Sequence, residues 1–149
     1  MKTLVVYESF NGNTEKIAKA IGEAIKEDVR VLSVGAASSS DLQSIDLLIV
    51  GSPTYGGRPT PGMLDFLKNT VATSSLKDVS VAAFDTRLTA NWVKMFGFAS
   101  GKIANSLKAN GGTLVKSPEG FYVTKTKGPL KEGELERAAS WAKEIVKDK

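Results

Sequence analysis

A short polar segment near the N-terminus carries the residue types best suited to bind a ligand. Ser9, Asn11, Gly12, Asn13 and Thr14 place two hydroxyls, two amides and a glycine within six positions, directly before a helical pattern. The free N–H groups of a helix N-terminus favour an anion, and glycine lets the backbone approach it closely. A phosphate monoester fits these donors. A simple helix cap and turn uses the same residue types, so both interpretations stand at this point.

Two further segments of unusual composition follow apolar stretches later in the chain. Residues 51–57 read GSPTYGG and residues 84–87 read FDTR. No G-x-G-x-x-G dinucleotide motif follows the first apolar stretch. Residues 97–103 (GFASGKI) come nearest to a nucleotide P-loop, but they have one residue too few between the glycines and no Ser or Thr after the lysine. The sequence therefore lacks both common nucleotide-binding motifs.

The composition removes most other catalytic chemistry. The 149 residues include no Cys and no His, which excludes disulfides, thiolate nucleophiles, Cys/His zinc sites, iron–sulfur clusters and His-based triads. Chemistry must come from carboxylates, hydroxyls, amides, lysines or a bound cofactor. A hydrophobic share of 42% and a charged share of 24% are ordinary for a globular protein, and the length predicts a single domain over residues 1–149.

The apolar runs and the N-terminus predict a cytoplasmic protein that does not contact membranes. No run approaches the ~20 apolar residues that a spanning helix needs. Residues 1–7 enter a strand-like run at once, without the pattern of a signal peptide.

The net charge of +4 is unevenly distributed. Residues 1–75 hold seven basic and eight acidic groups, whereas residues 76–149 hold 13 and 8, so the second half carries +5. No block of like charge and no interleaved aromatic platform is present in the sequence, which argues against nucleic-acid binding. Lys125, Lys127 and Lys131 could form a docking patch or be solvated surface, and the sequence leaves both open.

Five apolar stretches predict buried strands, and helical patterns separate them. The predicted strands cover residues 3–7, 28–34, 46–50, 79–84 and 113–116, the last with a continuation through 120–123 as an alternative. Helical spacing covers residues 15–25, 61–67, 98–109 and 132–147, with a short turn at 38–45. This alternation predicts an α/β fold with a doubly wound five-stranded parallel sheet and helices on both faces. The three unusual segments follow the first, third and fourth strands, at the carboxyl ends where ligands bind.

The motifs resemble those of the flavodoxin family. Residues 9–15 (SFNGNTE) resemble the flavodoxin phosphate loop, Ser/Thr-x-Thr-Gly-Asn-Thr, with Asn11 in place of the second Thr or Ser. Residues 51–57 resemble the second flavin loop, in which an aromatic residue stacks on the isoalloxazine ring. Residues 96–114 keep the family's spacing from an aromatic residue to a Gly-Gly pair. The resemblance covers nearly the whole chain, in the short form of the family, and implies the strand order 2-1-3-4-5.

Two features depart from the usual flavodoxin pattern. The third loop usually reads Gly-x-Gly-Asp before a stacking Tyr, whereas here residues 84–87 read FDTR and Val93 lies near the Tyr position. Trp92 could supply the second aromatic face or merely cover the sheet edge, and Arg87 could form a salt bridge or approach the flavin. Flavodoxins are typically acidic, whereas this chain carries +4, so we expect acidic redox partner proteins.

The resemblance implies a monomeric protein that binds FMN noncovalently and carries electrons between redox partner proteins. The phosphate would lie on the first loop and the isoalloxazine on Tyr55 and Trp92. The Gly56–Gly57 peptide would lie beside the flavin N5, and the backbone of residues 84–87 at the pyrimidine edge. The implied FMN-binding residues are Ser9, Phe10, Asn11, Gly12, Asn13, Thr14, Pro53, Thr54, Tyr55, Gly56, Gly57, Phe84, Asp85, Thr86, Arg87 and Trp92. No metal ligand is implied.

Two other functions remain open from the sequence. A flavin-dependent reductase of quinones or other small acceptors would need a substrate pocket over the flavin and hydride chemistry. A flavodoxin-fold domain with little affinity for flavin would be a binding or regulatory module. The altered third loop is the feature that favours this last alternative.

Overall fold

The computed structural model describes residues 1–88 and 98–147. Trp92 and Val93, and with them the predicted second aromatic face, lie outside these described residues. The strands in the described ranges are β1 (Thr3–Tyr7), β2 (Val29–Ser33), β3 (Leu47–Pro53), β4 (Ser80–Leu88), β5 (Thr113–Leu114) and β6 (Glu119–Val123). The helices are α1 (Asn13–Ile25), α2 (Pro61–Asp65, continued by a π-helical stretch over Phe66–Val71), α3 (Ala99–Ala109) and α4 (Glu134–Lys147), and a 3₁₀ turn covers Ser39–Leu42.

All strand pairs are parallel, and the sheet runs in the order β2-β1-β3-β4-β5 with β6 also paired to β4. The predicted parallel α/β sheet and its order are confirmed, with one strand more than predicted. Within residues 1–88 and 98–147, no helix combines the length and apolar character that a membrane crossing requires.

Both faces of the sheet are covered by helices because the central strands are apolar on both sides. Along β1, Leu4 and Val6 join one buried cluster while Val5 joins the other, as the two-residue period of a strand requires. The first cluster includes Met63 and Val71 of the α2 region together with Ile103 and Leu107 of α3. The second includes Ile17, Ile21, Ala138, Trp141 and Ile145, from α1 and α4.

The fifth position of the sheet is shared by two strands: the predicted strand over 113–116 is shorter than expected, and the alternative continuation over 120–123 is present as a separate strand, β6. β5 pairs with the start of β4, at Ser80 and Val81, and β6 pairs with its end, from Phe84 to Leu88. Pro118 lies between the two strands. Since proline has no N–H to donate to a sheet, it interrupts the ladder at this point.

β4 is longer than predicted, which corrects the prediction that this strand ends at Phe84 and that residues 85–87 form a loop. These residues are strand, because β3 pairs with them as far as Thr86 and β6 pairs with them through Leu88. The partner residues on β6 that make this extension possible are 35 residues away in the chain, so local composition did not indicate them. β3 likewise continues to Pro53, past the predicted end at Val50.

Candidate functional site

A cleft opens where the carboxyl ends of β1, β3 and β4 meet. Its walls come from the segment after β1, the turn after β3, the end of β4 and the segment around the end of β6. The lining residues are Ser9, Phe10, Asn11, Asn13, Thr14, Pro53, Thr54, Tyr55, Gly56, Gly57, Thr86, Arg87, Leu88, Val123 and Thr126. The three segments singled out in the sequence therefore contribute to one cleft, at the edge of the sheet where open α/β folds bind ligands.

The segment after β1 leads directly into the N-terminus of α1. Gly12 takes a left-handed φ of 87°, and its N–H donates to Ser9 Oγ at 3.1 Å. The first helical hydrogen bond joins the Lys16 N–H to the Gly12 carbonyl at 3.1 Å. The N–H groups of the first helical turn, from Asn13 onward, precede this bond and have no intrahelical acceptor. This end of the cleft therefore offers uncharged donors to an anion.

Two buried side chains tie this segment to distant parts of the chain. The Thr14 and Thr86 hydroxyl oxygens lie 2.8 Å apart, which joins α1 to the end of β4. Asn13 Nδ2 donates to the Lys127 carbonyl at 3.2 Å, which joins α1 to the segment after β6. Asn13 and Thr14 are buried. Their positions are therefore set by tertiary contacts as well as by the loop itself.

The turn after β3 is a tight hairpin with two glycines at its tip. Tyr55 and Arg58 exchange two backbone hydrogen bonds of 2.9 Å. Gly56 and Gly57 both have positive φ, of 55° and 79°, a combination that favours glycine at both positions. Lys102 Nζ on α3 donates to the Gly57 carbonyl at 2.6 Å. The turn is thus held from α3, while its tip remains in the cleft wall.

Two aromatic rings lie at the mouth of the cleft. Phe10 is 58% exposed and Tyr55 is 40% exposed, and their rings stack with centroids 5.7 Å apart and planes inclined by 24°. A flat ring inserted between them would need a separation of about 7 Å, or two stacking distances of ~3.5 Å. In this arrangement a ligand ring can stack on one face of the pair, but not between its members.

The end of β4 divides between the cleft and the core. Phe84 is fully buried and makes edge-to-face contacts with Phe121 and Trp141, so it contributes to the core between the sheet and α4. Asp85 is also fully buried and forms an ion pair with Arg87, whose Nε lies 2.7 Å from Asp85 Oδ1. Thr86 and Arg87 line the cleft, whereas Phe84 and Asp85 do not.

Residues 4–116 match the family model of the flavodoxin domain. The chain belongs to the flavodoxin family. It is 32% identical over 130 residues to a flavodoxin of Buchnera aphidicola, covering 85% of this chain and 75% of that protein. It is 30% identical over 130 residues to flavodoxin 1 of Escherichia coli strain K12, covering 85% of this chain and 73% of that protein.

Solved flavodoxin structures have the same fold. A flavodoxin from the domain Archaea superimposes with a TM-score of 0.83 at 26% identity, covering 99% of this chain and 97% of that one. A Fusobacterium nucleatum flavodoxin bound to flavin mononucleotide superimposes with a TM-score of 0.75, covering 99% of both chains. Its identity of 17% is evidence for the fold alone.

The structure adds three lining residues that the sequence did not indicate. Leu88 reaches the cleft because β4 extends beyond the predicted strand, and Val123 and Thr126 reach it because β6 pairs with β4. The apolar run at 120–123 was the available signal, but nothing local connects it to the first loop. Gly12 does not line the cleft and acts through the backbone conformation that starts α1.

Glu15, which follows the first loop, forms an ion pair with Lys19. Glu15 accepts hydrogen bonds from Lys19, at 3.1 Å, and from the Tyr7 hydroxyl, at 3.1 Å. The contact with Lys19, followed by the smaller effect of the contact with Tyr7, lowers the pKa of the Glu15 carboxyl. Burial, followed by the bond to Glu15, raises the pKa of the Tyr7 phenol. Glu15 is thus an ionised group partly neutralised by Lys19, and it does not line the cleft.

A second charged network joins β6 to α4, away from the cleft lining. Arg137 forms ion pairs with Glu134 at 2.7 Å and with Glu119 at 2.9 Å, and the Tyr122 N–H donates to Glu134 at 2.7 Å. Burial by itself would raise the pKa of the Glu134 carboxyl, but the bonds from Arg137 and Tyr122 outweigh it, so this pKa is lowered. The Glu134 contact is the main cause that raises the pKa of Arg137.

Proposed function

We propose that this chain binds FMN noncovalently and carries electrons between redox partner proteins. The observation that carries the proposal is the meeting of three segments in one cleft: the donor-rich start of α1, the Tyr55–Arg58 hairpin and the end of β4. Membership of the flavodoxin family supports it, as does the flavin mononucleotide bound to the Fusobacterium relative of the same fold. When bound, FMN supplies the redox chemistry, and the protein supplies position and electrostatics.

The α1 end of the cleft suits the phosphate of FMN. A phosphate needs several N–H and O–H donors at short range, and the first turn of α1 provides unpaired N–H groups beside the hydroxyls of Ser9 and Thr14. The loop has no cation of its own. The phosphate would therefore be held by backbone dipoles and neutral donors. The ion pair with Lys19 partly neutralises the nearby Glu15 carboxylate.

The other end of the cleft suits the flat isoalloxazine ring. Tyr55 offers an aromatic face, and Leu88 and Val123 add apolar surface. The Gly56–Gly57 peptide at the tip of the hairpin lies in the cleft wall without a hydrogen bond to any other described residue. Its N–H and carbonyl are therefore available to polar atoms at the ring edge. Because Phe10 and Tyr55 are too close to sandwich a ring, Tyr55 would stack through one face only.

The direct test is an absorption spectrum of the purified protein, followed by titration of the apoprotein with FMN and with flavin fluorescence as the readout. We expect a flavin spectrum in the visible region and quenched fluorescence on binding, because a stacked Tyr ring quenches the flavin. Absence of binding at hundreds of micromolar FMN would contradict the proposal. The control ligand is riboflavin, which lacks the phosphate and should bind more weakly than FMN.

The charge of the chain supports a proposal about its partners. A net charge of +4 favours docking on acidic redox proteins, since opposite charges steer association. The test compares electron transfer from the reduced protein to one strongly acidic and one strongly basic redox protein at rising salt concentration. The rate with the acidic acceptor should fall as salt screens the attraction. The proposal would be contradicted if the rate with the basic acceptor fell equally with salt, or if the rate with the acidic acceptor rose.

Three further properties are part of the same proposal. We propose a cytoplasmic location, a monomer, and a single domain over residues 1–149. Cell fractionation tests the first and light scattering on a sizing column tests the second. Coincident urea unfolding curves from Trp fluorescence and circular dichroism test the third, because a second independent domain would separate the two transitions.

A further inference from the structure

The end of β4 holds a cation in a fixed position on the cleft wall. Asp85 and Arg87 are two residues apart, so they lie on the same face of the strand. Arg87 Nε and Nη2 donate to the two Asp85 carboxylate oxygens, each at 2.7 Å. Arg87 Nη2 also donates to Ser100 Oγ at 3.2 Å, and the Ser100 N–H donates to Asp85 at 2.9 Å. This bidentate geometry fixes the plane of the guanidinium.

The same guanidinium is packed from both sides. Its central carbon lies 3.4 Å from the centroid of the Phe98 ring, a cation–π contact. On the β6 side, a side chain at Gly120 would collide with the guanidinium, so only glycine fits beneath it. The Arg87 side chain is 13% exposed and that of Asp85 is fully buried. The guanidinium is therefore in place before any ligand arrives.

Arg87 lies at the ring end of the cleft. Thr86 precedes it and meets Thr14 on the α1 side of the sheet. Successive side chains of a strand point to opposite faces, so Arg87 lies on the α3 side, away from the α1 N-terminus. Arg87 lines the cleft and Asp85 does not, so the ion pair presents its positive end to the ligand. Among the described residues, none accepts a hydrogen bond from Arg87 Nη1.

We infer that Arg87 is a specificity-determining residue that favours the reduced state of FMN, and that Asp85 and Ser100 are its positioning residues. The inference rests on the proposed function. Two-electron reduction gives the flavin ring a negative charge at neutral pH, whereas the oxidised ring is neutral. A fixed positive donor at the ring end stabilises the charged form more than the neutral one, and charge near the ring is a lever by which proteins tune flavins.

The test measures the dissociation constants of oxidised FMN and of dithionite-reduced FMN, and their ratio, under anaerobic conditions. The main variant is the double substitution Asp85→Asn and Arg87→Gln, which removes both charges together and leaves neither buried without a partner. We expect the ratio of oxidised to reduced dissociation constants to fall about threefold to tenfold, the difference between a hydrogen bond to a charged acceptor and one to a neutral acceptor. The matched control is Arg30→Gln with Asp41→Asn, an exposed ion pair of 2.8 Å outside the cleft, which should leave the ratio unchanged.

Riboflavin separates the ring from the phosphate. Measured with riboflavin, the double variant should show the same fall in the ratio, because the effect belongs to the ring. Ser100→Ala should give a smaller change of the same sign, since it loosens the guanidinium without burying a lone charge. An unchanged ratio in both variants, or a change seen with FMN and absent with riboflavin, would overturn the inference. Failure of the unaltered protein to bind FMN would instead overturn the proposed function.

Discussion

The two ends of the cleft use different donors. The α1 end offers unpaired helix N–H groups and the hydroxyls of Ser9 and Thr14, with no charged donor in the loop. The α3 end offers the guanidinium of Arg87 on the wall, and Lys102 holds the hairpin from behind. Burying a hydroxyl or a backbone N–H costs much less than burying a charge, which must be paired when it leaves water. The α1 end therefore needs few supporting contacts, whereas the α3 end needs a network of hydrogen bonds around its charged group.

The two ends also differ in how their residues come together. The donors at the α1 end come from six consecutive residues, 9–14. The network at the α3 end joins β4, α3 and β6 across more than 30 residues of chain. Loss of one donor should therefore affect mainly binding at the α1 end and mainly stability at the α3 end.

The largest effect is expected for Arg87→Met in the protein without FMN. The substitution leaves the Asp85 carboxylate buried without its partner, so the free energy of unfolding should fall by about 3–5 kcal/mol. Urea unfolding followed by Trp fluorescence measures it. The double variant Asp85→Asn with Arg87→Gln is the control and should recover at least half of the loss. A single variant as stable as the unaltered protein would show that Asp85 does not depend on Arg87 for its stability in the core.

Thr14→Val should act mainly on binding. It removes a hydroxyl at the phosphate end, so the affinity for FMN should weaken by about 1–3 kcal/mol, while riboflavin affinity changes little. The lost contact with Thr86 should cost the apoprotein about 1 kcal/mol, less than Arg87→Met. Thr14→Ser, which retains the hydroxyl, is the matched control in the fluorescence titration. Unchanged FMN affinity in the Val variant would contradict the phosphate assignment.

Tyr55→Leu should weaken FMN and riboflavin equally, by about 1 kcal/mol, because the stacking contact belongs to the ring. Flavin fluorescence should also be less quenched in the complex. Leu135→Ala, which changes an exposed apolar residue on α4, is the control and should alter neither quantity. A loss of affinity for FMN without a loss for riboflavin would place Tyr55 at the phosphate and would contradict its assignment to the ring end.

The smallest effect concerns the Glu134 network, which is charged but does not line the cleft. The pKa of Glu134 is lowered in the folded protein, so its contribution to stability is complete above its unfolded pKa of ~4.3 and is lost as the pH falls through the folded value. Glu134→Gln should remove about 0.5–1 kcal/mol at pH 7, because Gln can still accept from the Tyr122 N–H and Arg137 keeps its ion pair with Glu119, and it should flatten the acid limb of the stability curve. Urea midpoints between pH 3 and about 7 measure it. FMN affinity should stay the same, and a change there would contradict the separation of the two networks.

Local patterns were sufficient to predict the parts of this protein that depend on consecutive residues. The buried strands and the long helices follow from short-range spacing of apolar residues, and α1 begins at the predicted loop because Gly12 and the residues around it set its start locally. The sheet order is also as predicted. That prediction came from the resemblance of the loops to those of the family. The convergence of the three segments in one cleft follows from the parallel arrangement of the strands.

Residues 84–87 show what local patterns could not indicate. Asp85 is of a residue type depleted in strands, yet residues 85–87 are strand because β6, which begins at Glu119, supplies hydrogen bonds and a glycine on which Arg87 can lie. The cost of burying Asp85 is offset by Arg87, two residues along the same strand, and by Ser100, which meets Asp85 only after α3 packs on the sheet. The same long-range pairing brings Val123 and Thr126 to the cleft. The sequence therefore specified the neutral, local half of the site, whereas the charged half depends on partners that folding alone brings together, since a buried charge is stable only beside them.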